Sequence, residues 1–305
     1  MRSIPMKKLV SLFLAVLLLL SLAACGEEEK SELKLPQDVI TEETEDQQPV
    51  AQTPAKPKKA TIPETVLYDA KDLKITAKSL SNEGIMGPEL RLSIENNTDK
   101  DLTIQTRSVS VNGYMIDTIM STDVASGQRN NDTVIFVDTD LERSGITTIG
   151  TIEIAFHIFE TATWDTYVNT DVITLRTDRA GSVGEPSAHA GQTVHDANNV
   201  KIVVKGLDEE DSVLGPGVVV YIENNRKQDI TIQVETAMIG GHEITPIFSC
   251  SVTAGNCAVD SVTILSSELE EYGITSIEEV SLSFVIFDMD TYVDIVESDM
   301  ATINF

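Results

Sequence analysis

The sequence predicts an all-β chain, with two tandem antiparallel β-sandwich domains following a leader and an extended stalk. Three observations carry this. Apolar and polar residues alternate through much of the chain beyond residue 63, turn residues recur about every ten positions, and residues 87–177 return as residues 215–305.

The duplication sets the domain plan. "GPELRLSIENNTDKDLTIQ" from Gly87 matches "GPGVVVYIENNRKQDITIQ" from Gly215, an offset of 128 that runs to Thr177 and Phe305 without a gap. About a third of the aligned positions are identical. Landmarks keep step: Asn96 with Asn224, Gly113 with Gly241, Gly127 with Gly255, Asp132 with Asp260, Gly145 with Gly273, and Phe156 with Phe284. Upstream, Tyr68, Asp69 and Ala70 match His195, Asp196 and Ala197 after a one-residue shift. The expected organisation is a leader at 1–24, a stalk at 25–63, a first repeat at 64–177, a linker at 178–193 and a second repeat at 194–305. Units of this size are domains, since solenoid repeats usually run to about 20–50 residues.

Within each copy the period is two. Leu90, Leu92 and Ile94 alternate with Arg91, Ser93 and Glu95; "NNTDKD" then supplies a turn and Leu102 and Ile104 resume, which predicts a hairpin. Ile152, Ile154, Phe156 and Ile158 form a second alternating run, echoed by Val280, Leu282, Phe284 and Ile286. A half-buried antiparallel strand requires this pattern. Asn112–Gly113 and Gly240–Gly241 predict tight turns. Thr139 with Glu142, and Ser267 with Glu270, have capping-box spacing before Gly145 and Gly273, which predicts one short helix per copy. Seven or eight short strands in about 100 residues fit an immunoglobulin-like sandwich, although neither copy has the cysteine pair and tryptophan of antibody domains.

The leader reads clearly. Lys7 and Lys8 precede an apolar run that ends in Leu22, Ala23, Ala24 and Cys25; the run is shorter than the roughly 20 residues that span a bilayer. This junction resembles the lipobox of bacterial lipoproteins, and the "IENN" region resembles the immunoglobulin-like domains of uncharacterised Gram-positive surface lipoproteins. The first resemblance implies a diacylglycerol thioether on Cys25, cleavage before it, and a protein partnered with the outer face of the cytoplasmic membrane. Two acyl chains give stable anchoring where one is marginal. Between Gly26 and Pro63 the composition is acidic and then rich in proline and lysine, which predicts a disordered tether with a mean reach of roughly 35 Å.

The formal charge of −27 becomes −30 once Arg2, Lys7 and Lys8 leave with the leader. Such a chain repels phosphate backbones, so nucleic acid is excluded as a partner.

Cys250 and Cys257 stand where the first copy has Thr122 and Arg129. Both thiols occur in one copy and neither in the other, the intervening "SVTAGN" contains a turn at Gly255, and export permits oxidation; a disulfide is expected. A metal site using His242 lacks a fourth ligand at sensible spacing. Asp288, Asp290 and Asp294 lack the glycine of a calcium loop and read as a solvated strand end. Trp164 and Tyr167, with Tyr292 in the second copy, lie just beyond the long strands, as edge packing or as a binding platform. His157, on the polar side of its strand, and His189 and His195, flanking the linker, are expected at the surface.

No G-x-S-x-G, H-E-x-x-H, C-x-x-C, P-loop or dinucleotide fingerprint occurs, and no cofactor is called for. The expected role is non-catalytic binding of an extracellular ligand or protein partner. The alternatives are an accessory subunit of an envelope complex, or an enzyme or inhibitor acting through exposed loops.

Overall fold

A computed structural model describes residues 59–184 and 190–305, all within one compact unit. The leader, Cys25, His189 and most of the stalk lie outside the described residues.

The first repeat contains β1 (Thr65–Ala70), β2 (Leu73–Ser81), β3 (Glu89–Asn96), β4 (Leu102–Val111), β5 (Tyr114–Met115), β6 (Thr118–Ile119), β7 (Ser121–Val124), β8 (Arg129–Phe136), α1 (Asp138–Arg143), β9 (Thr151–Glu160), β10 (Thr166–Asn169) and β11 (Ile173–Arg176). A 3-10 turn, Ala180–Ser182, leads to the second repeat. There the order is β12 (Gln192–Ala197), β13 (Val200–Ser212), β14 (Gly215–Asn224), β15 (Ile230–Ile239), β16 (His242–Ile244), β17 (Ser249–Val252), β18 (Cys257–Thr263), α2 (Ser266–Glu271), β19 (Glu279–Asp288), β20 (Asp294–Glu297) and β21 (Ala301–Asn304). The all-β sandwich fold is thus present twice. β12 starts inside the segment expected as linker, and Ala60, expected in the stalk, is fully buried in the first core. The Thr61 amide and the Asp178 carboxylate join the two ends of the first repeat at 2.8 Å.

β1-β2-β3-β8-β6 form one sheet, and β16-β15-β19-β20, with β17 and β21, form another. Between them lies a ten-stranded sheet ordered β10-β9-β4-β5-β18-β14-β13-β12, in which β11 pairs with β9 and β7 with β4. This middle sheet belongs to both repeats. β5 turns back from β4 through Asn112–Gly113, whose φ values of 54° and 83° fit a type I′ turn, and then meets β18 in a parallel bridge between Tyr114 and Cys257.

The structure corrects the hairpin expected at "NNTDKD". β3 pairs with β2 and β8, whereas β4 pairs with β9, β5 and β7, so the connection is an arch from one sheet to the other. Buried Asn96 holds the arch. Its side-chain amide donates to the carbonyls of Lys100 and Val124, both at 2.8 Å, and its oxygen accepts from the Thr98 amide and hydroxyl. Asn224 repeats this with Gln228, Val252 and the Arg226 amide. A side chain filling four bonding sites in a dry interior explains why "ENN" occurs in both copies.

The short helices are found, but Thr139 and Ser267 are not their caps. Val137 and Leu265 occupy the N-cap positions and provide no side-chain bond, because each helix starts directly off the preceding strand. The C-termini behave as expected. The Gly145 amide donates to Glu142 and that of Ile146 to Leu141, with Gly145 at φ 71°, and Gly273 and Ile274 reproduce this Schellman arrangement.

The first core, around Ile75, Ile94, Phe136 and Phe156, also takes in Val203, Tyr221, Cys257 and Val259 from the second repeat. The second core, around Ile222, Ile232, Phe284 and Ile286, takes Met115 against its side. Glu153 extends the junction by accepting from Ser110 of its own repeat and from Asn256 of the other. Arg107 pairs with Asp290, and Arg143 with Asp211, across the same boundary.

Candidate functional site

Two places unite functional side chains from the duplicated pattern: the turns after β9 and β19, and a cleft between the repeats.

Each turn is closed identically. The Trp164 amide donates to the Glu160 carbonyl and that of Tyr292 to the Asp288 carbonyl, while Glu160 and Asp288 donate back to Asp165 and Val293. This geometry drives the fourth loop residue into the left-handed region, with Trp164 at φ 65° and Tyr292 at φ 56°. Glycine or asparagine suits that conformation, and an L side chain there costs about 1–2 kcal/mol. Both copies nevertheless place a large aromatic there, 74% and 72% exposed. Each ring is braced from one side. Trp164 stacks on Phe159 with centroids 5.2 Å apart, and Tyr292 on Phe287 at 6.2 Å.

The neighbouring candidates take other roles. His157 is half-buried, against the expectation of a simple surface residue, because its ring lies 5.2 Å from Phe159 and its Nδ1 is 2.6 Å from the Asn169 oxygen. Tyr167 donates to the Lys71 carbonyl, with the Lys71 ammonium 5.7 Å over its ring, so it secures the β1–β2 turn. Asp288 accepts from Thr291 and Asp290, which holds its carboxyl below the usual range, and Asp290 is paired with Arg107. Among the described residues, no group of three His, Cys, Asp or Glu side chains is placed to hold a metal ion.

The cleft, of about 280 Å³, is lined by Arg107, Met115 and Asp117 of the first repeat together with Cys250, Asp260 and Met289 of the second. Asp140 joins it from α1, accepting from the Asp117 amide at 2.9 Å and facing Arg143 at 3.5 Å. Burial pushes Asp260 up to about 6, with the Asp117 and Asp140 charges adding to the rise and the Ser261 amide and Arg143 opposing it. Burial also raises Asp140. These carboxylates come from a loop, a helix and a strand of two repeats, so sequence spacing does not assemble them; only the Asp132–Asp260 match hints at one.

The structure corrects the disulfide. Cys250 and Cys257 are both free and buried. β17 pairs with β15 and β18 with β14, so "SVTAGN" is an arch between sheets, and the thiols belong to different clusters. Cys250 packs in the second core beside Asp260. Cys257 faces the first repeat, donating to the Gly113 carbonyl, and burial pushes its thiol up to about 12. Neither environment favours a thiolate. His195 is likewise buried, not superficial, and its Nε2 has no partner. His242 stacks on Tyr272 at 4.5 Å.

No family model and no curated protein matches the chain. Among solved structures it is similar to the YadV chaperone, at 9% identity over 76% of this chain and 100% of that one, with a TM-score of 0.25. A Pseudomonas aeruginosa CupB2 chaperone matches at 9% identity over 71% and 92%, with a TM-score of 0.18. A Bacteroides uniformis β-glucuronidase matches at 12% identity over 70% and 25%, with a TM-score of 0.20. Likeness at this level carries no argument about function.

Proposed function

We propose that this chain is a non-catalytic binding protein, held by lipid on Cys25 at the outer face of the bacterial cytoplasmic membrane, which engages an extracellular ligand through its two aromatic turns. One observation carries the reading: a bulky exposed aromatic occupies a strained, glycine-favouring position in both copies, although its identity changed from tryptophan to tyrosine. Backbone strain retained at an exposed position points to a task in the surface. One face of each ring is stacked and the other is open. In the chain, Asp165 adjoins Trp164 and Asp294 follows Tyr292 by two residues, while Glu160 and Asp290 are engaged by Lys100 and Arg107. An open π-face among carboxylates favours a ligand that combines an apolar ring face with an ammonium group, such as an amino sugar.

Trp164 is the sole tryptophan, so its emission reports on this site alone. Titrating the full chain carrying Cys25→Ser with glucosamine oligomers is expected to give a saturable emission shift. Trp164→Ala together with Tyr292→Ala should abolish binding measured by calorimetry. Unchanged emission and no heat with these oligomers would remove the amino-sugar reading. The anchor has its own test: Cys25→Ser in cells is expected to release the protein or leave an uncut precursor, and a cut form still bound to membrane refutes the lipid attachment.

A further inference from the structure

Away from the aromatic turns, both repeats thrust apolar side chains into water from the same hairpin. Ile85 and Met86 lie between β2 and β3; Val213 and Leu214 occupy the matching positions between β13 and β14. Ile85 is 102% exposed and Val213 103%, with Met86 and Leu214 also exposed. Single exposed apolar residues are ordinary on a protein surface. A pair retained at the same tip in two copies that share only about a third of their residues is not.

The tips are also rigidly mounted. The Met86 carbonyl accepts from the Asp138 amide, and that of Leu214 from the Ser266 amide. Pro88 and Pro216 accept from Phe136 and Ile264 in the adjoining strand ends. Gly87 and Gly215 then pass so close to the Phe136 and Ile264 carbonyls that an added Cβ would stand 2.0 and 2.1 Å from their oxygens. Such bracing fixes the apolar pair in advance, which lowers the entropic cost of docking.

Both tips are rooted at α1. The first residue of α1 bonds the root of one tip, and Arg143 at the other end bonds Asp211, two residues before Val213. A helix of this length spans about 9 Å. Acidic residues flank both tips in the chain: Glu83 and Glu89, facing Lys59 and Arg91, at the first, and Asp208, Glu209 and Glu210 at the second.

We infer that these two tips form a docking surface for a protein partner whose apolar cleft is rimmed by basic side chains. Carboxylates around the tips repel an anionic bilayer and attract a basic rim, which selects a protein over a lipid surface.

The probe is a helical amphipathic peptide of leucine and lysine, titrated into the full chain carrying Cys25→Ser, with phosphatidylcholine vesicles as a second arm. The peptide is expected to bind. Replacing Ile85, Met86, Val213 and Leu214 with serine should weaken it at least tenfold at an unchanged melting temperature, and Glu209→Lys with Glu210→Lys should weaken it too. Trp164→Ala should leave peptide binding intact, which separates failure here from failure of the aromatic reading. The inference is overturned if the unaltered chain does not bind the peptide or if the serine variant binds within twofold. It is equally overturned if the four residues are needed for vesicle binding and not for peptide binding.

Discussion

Asn96 and Asn224 show how much one side chain can fix in this protein. Each satisfies carbonyls from two loops inside the sandwich, so truncation leaves buried acceptors without donors. Asn96→Ala and Asn224→Ala are each expected to cost about 1–3 kcal/mol, read as a lower denaturation midpoint with an unchanged slope. Trp164→Gly should behave differently. Relief of roughly 1–2 kcal/mol of backbone strain offsets the loss of about 0.5–1.5 kcal/mol of stacking, so stability should barely move while ligand binding weakens, the Tyr292 turn being left in place. Asp260 gives the pH signature. Its folded pKa of about 6 lies above the ordinary value of 3.8, so the folded state binds the extra proton between these limits. Stability is therefore lost as pH rises through about 6 and regained as pH falls towards 3.8, by up to roughly 3 kcal/mol. Asp260→Asn should stabilise the protein at pH 7.5 and flatten its melting temperature between pH 4.5 and 7.5. A full pH response in that variant would assign the effect to Asp140 instead.

At the scale of elements, alternation made the strands legible but could not say which strands pair. Leu90 to Ile94 and Leu102 to Ile104 have the pattern of hairpin arms, yet inward alternation is equally satisfied when two strands face each other from opposite sheets. The difference lies in the connection, where Asn96 turns its polar atoms inward to hold an arch. The same ambiguity misled the reading of "SVTAGN": Gly255, at φ 78°, bends an arch, and the two cysteines flanking it face different cores. Intact-mass analysis of the never-reduced protein should therefore find both thiols in the reduced form. Reducing agent should leave the melting temperature unchanged, and native labelling of both thiols should be slow because each is buried. A mass two hydrogens short would restore the disulfide. The turns were more readable, since Asn112–Gly113, Gly145 and Gly273 demand positive φ and the sequence shows them directly. The left-handed aromatics gave no such warning, because nothing in Trp164 or Tyr292 as residue types implies that conformation.

At the scale of the molecule, the two repeats are joined by a face that exists in only one of them. Val203, Tyr221, Cys257 and Val259 of the second repeat enter the first core, and their counterparts in the first repeat are Thr76, Ser93, Arg129 and Asn131. The apolar set docks; the polar set lies on the outer sheet of the first repeat, where Thr76 and Ser93 are buried, Arg129 pairs with Glu95 and Lys74 with Asp69. β5 shows the reciprocal contrast, with Tyr114 and Met115 at the junction and His242 and Glu243 at the matching strand of the second repeat. This asymmetry is legible in the aligned copies as an apolar-for-polar exchange along one strand face, and the Cys257–Arg129 difference belongs to it and not to a disulfide. The consequence concerns folding. The full chain should unfold in one cooperative transition, whereas residues 190–305 expressed alone would expose the four docking side chains and should melt lower and self-associate. Val259→Asp places a carboxylate in the junction without altering the second core, and is expected to cost roughly 3–5 kcal/mol. Its melting curve should split in two as the repeats uncouple. A single unchanged transition in that variant, with the isolated second repeat as stable as the intact chain, would mean that the repeats touch without supporting one another.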